Sequence, residues 1–112
     1  MTVDVGTQLR KGVVESCVLA LLEREPMYGW QLAETLTSNG MIASIGTLYP
    51  MLSRLRAAGL VTTYNEASAA GPVRKYYELS AAGREQLEAF RAQWSTFVVT
   101  VDELVKRDDN HG

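Results

Sequence analysis

The chain holds a single cysteine, Cys17, and a single histidine, His111, among 112 residues. One cysteine excludes an internal disulfide framework and fits a reducing compartment. Cys17 falls on the apolar side of a helical pattern, where a thiol is expected to be core and inert. His111 follows the polar stretch Arg107–Asn110, which is expected to fray. Serine–histidine or cysteine–histidine catalysis and histidine-based metal sites need an imidazole held in geometry, so neither is expected. No catalytic residue, metal or cofactor is assigned. Long apolar runs are missing too: the longest, Cys17–Leu22, is far too short for a bilayer span. The opening, MTVDVGTQLRKG, lacks the basic-then-apolar order of a secretory signal. The expectation is a cytoplasmic protein with no membrane segment.

What is present is ordinary for one soluble domain, with 46% hydrophobic and 21% charged residues. The net charge of −2 speaks at first against a nucleic-acid partner, but the distribution decides more than the sum. Between residues 41 and 77 the cations are Arg54, Arg56, Arg74 and Lys75 and the only acid is Glu66. That segment is therefore net +3, and the remainder of the chain −5.

Apolar periodicity predicts a helix over residues 9–24, with Val13, Val14, Cys17, Val18, Leu21 and Leu22 on a wide stripe, ended by Pro26. A short helix is expected over 28–38, with Leu32 and Leu36 inward and Asn39-Gly40 as its stop. Ser44 is a plausible N-cap for a third helix, Ile45–Ala58, which buries Ile45, Leu48, Leu52 and Leu55 and ends at Gly59. Two strands, Leu60–Asn65 and Val73–Leu79, follow around a Gly71-Pro72 turn. Ser80 then caps a long helix from Ala81 to about Lys106, which Gly83 is expected to weaken slightly.

A helix feeding a basic β-hairpin is the arrangement of a winged helix-turn-helix, where the helix enters a DNA major groove and the hairpin touches phosphates. With the leucine face buried, Thr47, Pro50, Ser53 and Arg54 project from the opposite side and Tyr49 flanks them. Hydroxyls can reach phosphates or bases, and arginine can bond guanine with two prongs. Pro50 is in tension with a helix interior, at a cost of roughly 3 kcal/mol, which its place in the second turn should reduce. Arg74 and Lys75 are assigned to phosphates. The competing readings are a solvated helix face and an edge strand guarded by charge.

In the last helix Leu87, Phe90, Trp94, Phe97, Val101 and Leu104 are spaced 3, 4, 3, 4, 3. This a/d seam is too apolar to leave in water and is expected to form a homodimer interface. A dimer presents two recognition helices one DNA turn apart, ~34 Å, and so reads a palindromic operator in double-stranded DNA. The fold expected is mostly α with a small β-hairpin. Residues 1–79 would form the DNA-binding winged helix, and 80–112 the dimerisation helix and tail.

The stretches LRKGVVESCVLALL, PMYGWQLAETL, GTLYPMLSRLRAAGLV and GPVRKYYELSAAGREQL, in that order, make the chain resemble the PadR family of transcriptional regulators, of the short type with one C-terminal helix. The resemblance covers residues 9 to about 105. It implies a nucleoid-associated homodimeric repressor that leaves its operator when a small effector binds. It adds Tyr28 to the DNA-facing set of Thr47, Tyr49, Pro50, Arg74 and Lys75. Trp30 stands where the family often has tyrosine and is expected to be semi-buried packing. The resemblance further implies that Trp94 stacks on a planar aromatic ligand near the dimer axis. The lining would be Leu87, Phe90, Trp94 and Val98, with Val14 and Val18 opposite and Glu15 the nearest charge. The alternatives are that Trp94 is dimer core only, and that the winged helix serves protein–protein assembly without DNA.

Overall fold

The computed structural model describes residues 4–107. His111 and most of the polar tail therefore lie outside the described residues. Asp4 caps a first helix, α1 (Val5–Lys11), by accepting from the Thr7 amide at 2.8 Å. The single helix expected from residue 9 is broken here. Gly12 takes the C-cap of α1 and Val13 lies outside helical geometry, with φ −123°. The chain then restarts as α2 (Val14–Arg24). Apolar periodicity runs through the break, because the half-buried Val13 and the buried Val14 are both apolar, so the pattern alone does not register it.

Glu25 is extended, as steric conflict with the following Pro26 demands, and leads into a two-residue strand, β1 (Met27–Tyr28). Two residues carry no periodicity, and β1 was not foreseeable from pattern. Next come α3 (Gly29–Ser38) and α4 (Ile45–Ala57). Both end on a left-handed glycine, Gly40 (φ 72°) and Gly59 (φ 77°). In each case the residue after the glycine donates its amide five residues back, Met41 to Leu36 and Leu60 to Leu55, satisfying carbonyls the helix end would leave bare.

The wing consists of β2 (Val61–Ser68) and β3 (Gly71–Leu79), with sheet order β1-β3-β2, all antiparallel. Its strands are longer than their composition suggests. The tip is Ala69-Ala70 rather than Gly71-Pro72, and Pro72 lies inside β3. It is tolerated because β1 pairs only with Tyr76 and Tyr77, so β3 is an edge at that point. The last helix, α5 (Ala81–Val105), is capped by Ser80, whose Oγ accepts from the Gly83 amide at 3.0 Å. The same Oγ donates to the Gly59 carbonyl at 2.6 Å, joining the start of α5 to the end of α4.

One core holds these elements together. Val14, Val18, Leu19 and Leu22 of α2 meet Leu32 and Leu36 of α3, Leu48, Leu52 and Leu55 of α4, Val61, Tyr77 and Leu87. Ile45, expected inside, is 37% exposed, since it opens α4 before the helix reaches the core. Gly83 does not merely weaken α5. A Cβ on it would lie 2.0 Å from the Leu60 carbonyl oxygen, so a hydrogen is what allows helix and strand to touch. From Arg91 onward no residue of α5 is buried. The helix runs on as an arm, and the radius of gyration reaches 17.2 Å, against ~13 Å for a compact chain of similar length.

Candidate nucleic-acid interface

α4 buries Leu48, Met51, Leu52 and Leu55 and turns Thr47, Pro50 and Ser53, three residues apart, to the outside. The helix continues through Pro50. The carbonyl that loses its partner is that of Gly46, exposed in the first turn, where water can replace the missing amide. Tyr49 flanks this face at 48% exposure. Its ring packs over the backbone of Gly29, where a Cβ would come within 3.0 Å of Tyr49 Oη.

The residue before Gly29, Tyr28, links helix and wing. Its ring carries the Arg74 guanidinium at 4.6 Å from the centroid and meets Tyr76 edge-on, and Tyr76 in turn stacks on Tyr64. A cation over an aromatic face is favoured by about 0.5–1 kcal/mol at exposed sites, enough to bias where Arg74 points. Arg74 and Lys75 are exposed and, among the described residues, take part in no ion pair. Strand alternation sends them to opposite faces: Arg74 opposes Glu66 and Lys75 opposes Asn65. The exposed face of α4, Tyr28 and Arg74 thus form one connected surface, with Lys75 on the other face of the same strand.

Three side chains depart from expectation. Arg54, assigned to base readout, donates to Glu15 of α2 while its side chain stays 63% exposed. That pair joins residues 39 apart, and no local pattern signals it. Trp30 is 56% exposed rather than semi-buried. Helical spacing could have shown this, because Trp30 lies on the far side of α3 from Leu32 and Leu36. Arg56, not assigned to DNA, is exposed in the last turn of α4 and in no ion pair among the described residues. Tyr77 closes the inner side of the sheet, and burial pushes its phenol upward. Cys17 is only half-buried, yet burial pushes its thiol pKa up as well, which disfavours the thiolate.

A second feature lies between α1 and the arm. A groove of about 900 Å³ is lined by Leu9, Val13, Phe90, Trp94, Phe97, Val98 and Val101, with Asp102 and Arg10 at its polar edge. Trp94 stacks on Phe90 (5.4 Å, 17°) and tilts against Phe97 (6.3 Å, 37°). Of the expected lining, Phe90, Trp94 and Val98 are here. Val14, Val18 and Leu87 are not: at 8%, 0% and 1% exposure they belong to the chain's own core. Glu15 is turned toward Arg54, and the acid at the groove is Asp102. For the same reason Leu87 drops out of the proposed interface seam. The remaining members, Phe90, Trp94, Phe97, Val101 and Leu104, are half-buried or exposed.

Helices α3 and α4, a hairpin wing carrying Arg74 and Lys75 and a projecting helical arm define the winged helix-turn-helix class. Residues 18–89 match the family described as the transcriptional regulator PadR-like family. The solved structures agree. A PadR-like transcriptional regulator from Bacillus cereus superposes with TM-score 0.82 at 37% identity, over 90% of this chain and 99% of that one. A PadR family regulator from Eggerthella lenta gives 0.79 at 33% identity, over 90% and 88%. One from Bacteroides fragilis gives 0.74 at 37% identity, over 90% and 98%. No curated protein matches the chain. The chain belongs to the PadR-like family, and it is a DNA-binding transcriptional regulator, not an enzyme. No helix among the described residues is long and apolar enough to cross a membrane.

Proposed function

We propose that the protein is a homodimeric repressor that reads a palindromic operator with two copies of α4 and releases it when a planar aromatic compound binds near Trp94. The observation that carries the DNA-binding part is the connected surface of Thr47, Tyr49, Pro50 and Ser53, then Tyr28, then Arg74, with Lys75 beside it on the wing and neither cation in an ion pair among the described residues. Thr47 and Ser53 contact the groove, Arg74 and Lys75 the phosphates, and Arg54 holds α4 in place through Glu15. Arm pairing through Phe90, Trp94, Phe97, Val101 and Leu104 spaces the two helices about 34 Å apart. Such a protein acts in the cytoplasm, at the nucleoid.

Phosphate contacts have a distinctive signature. Lys75→Ala or Arg74→Ala weakens operator and random duplex alike, and each lowers the log–log salt slope of binding by about 0.9. Salt titration by fluorescence anisotropy reads both. A slope unchanged from wild type contradicts the assignment. Tyr28→Phe keeps the ring under Arg74 and is expected to bind as wild type does, whereas Tyr28→Ala approaches the Arg74→Ala loss.

The effector part rests on the groove. Its apolar wall and stacked Phe90–Trp94 pair suit a flat ring system, and pairing of two arms would set two such walls against each other. A ligand there changes the distance between the recognition helices, and a coupling of about 1–3 kcal/mol lowers operator affinity roughly 5–150-fold. Linkage makes this reciprocal, so operator DNA weakens the ligand by the same factor. Trp30→Phe removes the exposed second indole. In that background a panel of planar heteroaromatic compounds is expected to quench Trp94 and shift operator affinity together. A panel that changes neither makes Trp94 packing alone.

A further inference from the structure

α5 leaves the winged helix over a short neck, and its attachments are few. Ser80 bonds to Gly59, Gly83 presses on the Leu60 carbonyl, and Leu87 is buried in the core. Immediately after the half-buried Phe90 the exposed stretch of the helix begins. At that point Arg91 reaches back to α2. Its Nη2 donates to Glu23 Oε1 at 2.8 Å and its Nη1 to Glu23 Oε2 at 3.2 Å. Nη1 also donates to Glu88 Oε2, one turn earlier on α5. Arg84 Nη1 approaches the same Glu23 carboxylate at 3.6 Å. Glu23 thus gathers two arginines of α5 from residues about 60 to 70 positions away. Hydrogen bonding from Arg91 holds the Glu23 carboxyl below the usual glutamate range, so the pair is charged at neutral pH.

We infer that the Glu23–Arg91 clamp is a positioning element that fixes the angle of the arm and so sets the half-site spacing the dimer accepts. This inference rests on the dimeric, DNA-binding reading given above. A two-pronged arginine–carboxylate contact fixes direction as well as distance, which a single point of charge does not. Exposed ion pairs add little to folding stability. The clamp therefore matters through orientation, at the point where the buried part of α5 ends. Leverage makes small angles count. The 14 residues beyond Arg91 extend the helix by ~21 Å at ~1.5 Å per residue, so a swing of ~10° moves its end by ~4 Å. That is about one base-pair step, given ~10 pairs in a ~34 Å turn.

The test uses the full chain and a random double-stranded DNA library. Wild type is expected to select a palindrome with one spacer length and to disfavour a spacer one base pair longer or shorter by about tenfold. Glu23→Gln, which keeps the size and loses the charge, should reduce that preference to about twofold while dimer content and thermal midpoint stay as in wild type. Arg91→Lys, which keeps the charge and loses the fork, should relax spacing nearly as far. A reading without DNA comes from spin labels on Ala69→Cys at the two wing tips, with Cys17→Ala to remove the native thiol. The wild-type distance distribution should be narrow, and Glu23→Gln should broaden it by several ångström. Unchanged spacer preference and an unchanged wing-tip distance in Glu23→Gln overturn the inference. A wild-type protein that is monomeric, or that selects no palindrome, overturns the dimeric reading itself and is recognised from wild type alone.

Discussion

Val101→Glu and Leu104→Glu are each expected to yield a monomer whose affinity for palindromic DNA falls by roughly 10²–10⁴-fold, the loss that follows when two tethered contacts become independent. Neither side chain supports its own chain's core: Val101 is 37% exposed and Leu104 79%. A carboxylate at either place therefore meets water in the single chain and should leave the winged helix folded. The same charge is costly only if a second copy covers this face, because an unpaired buried carboxylate must be desolvated. Beyond Arg91 the arm also exposes Trp94, Phe97, Val98, Val99 and Val105, more contiguous apolar surface than a lone helix in water is expected to carry. Sedimentation gives the oligomeric state, and anisotropy on a two-half-site duplex gives the affinity. Variants that remain dimeric, or a wild type that sediments at the mass of one chain at micromolar concentration, contradict arm pairing.

The second large effect concerns the joint between the start of α5 and the end of α4. Gly83→Ala is expected to destabilise the fold by about 3 kcal/mol, at the upper end of what overpacking a tight contact costs. The added methyl group would sit 2.0 Å from the Leu60 oxygen and 2.6 Å from Leu79 Cδ1. The nearer atom is backbone, which cannot swing away as a side-chain tip can. Relief requires α5 to lift from β2, which strains the Ser80 bonds to Gly59 and Leu60. A loss of that size lowers the thermal midpoint by roughly 10–20 °C in a domain of this length. Gly12→Ala is the control. Nothing lies within 4 Å of a Cβ there and its φ is −86°, so it should be neutral or stabilising by up to about 1 kcal/mol. Equal midpoints for the two variants contradict the close contact at Gly83.

Most of the fold was legible because it is written in local signals. Ser80 caps α5, Gly40 and Gly59 end their helices in the left-handed conformation, and leucine spacing gives the buried face of α4. Local signals also failed where two causes share one pattern. The a/d spacing from Leu87 to Leu104 does not say where packing on the chain's own body stops, and Leu87 lies on the near side of that division. Val13 and Val14 fit one helix by periodicity although Gly12 interrupts it. The strand β1 is too short for any period. Wing length was missed because Glu66–Ser68, turn-like in composition, pair across an irregular register with Arg74 and Gly71. Of the candidate surface, the exposed face of α4 and the wing cations were found from sequence. What could not be found is tertiary: Glu15 taking Arg54, Tyr28 carrying Arg74, and Glu23 collecting Arg84 and Arg91. In each, the partners are tens of residues apart and meet only once the core has formed.

The most direct measurement is a titration of the wild-type protein against the DNA upstream of its own gene, beside a scrambled duplex of equal length and composition, at several salt concentrations. Recognition by α4 and the wing predicts binding at least ~10³-fold tighter to the upstream DNA, weakened on both duplexes as salt rises. Equal affinity for the two duplexes, or binding to neither at low salt, would contradict an operator-reading regulator.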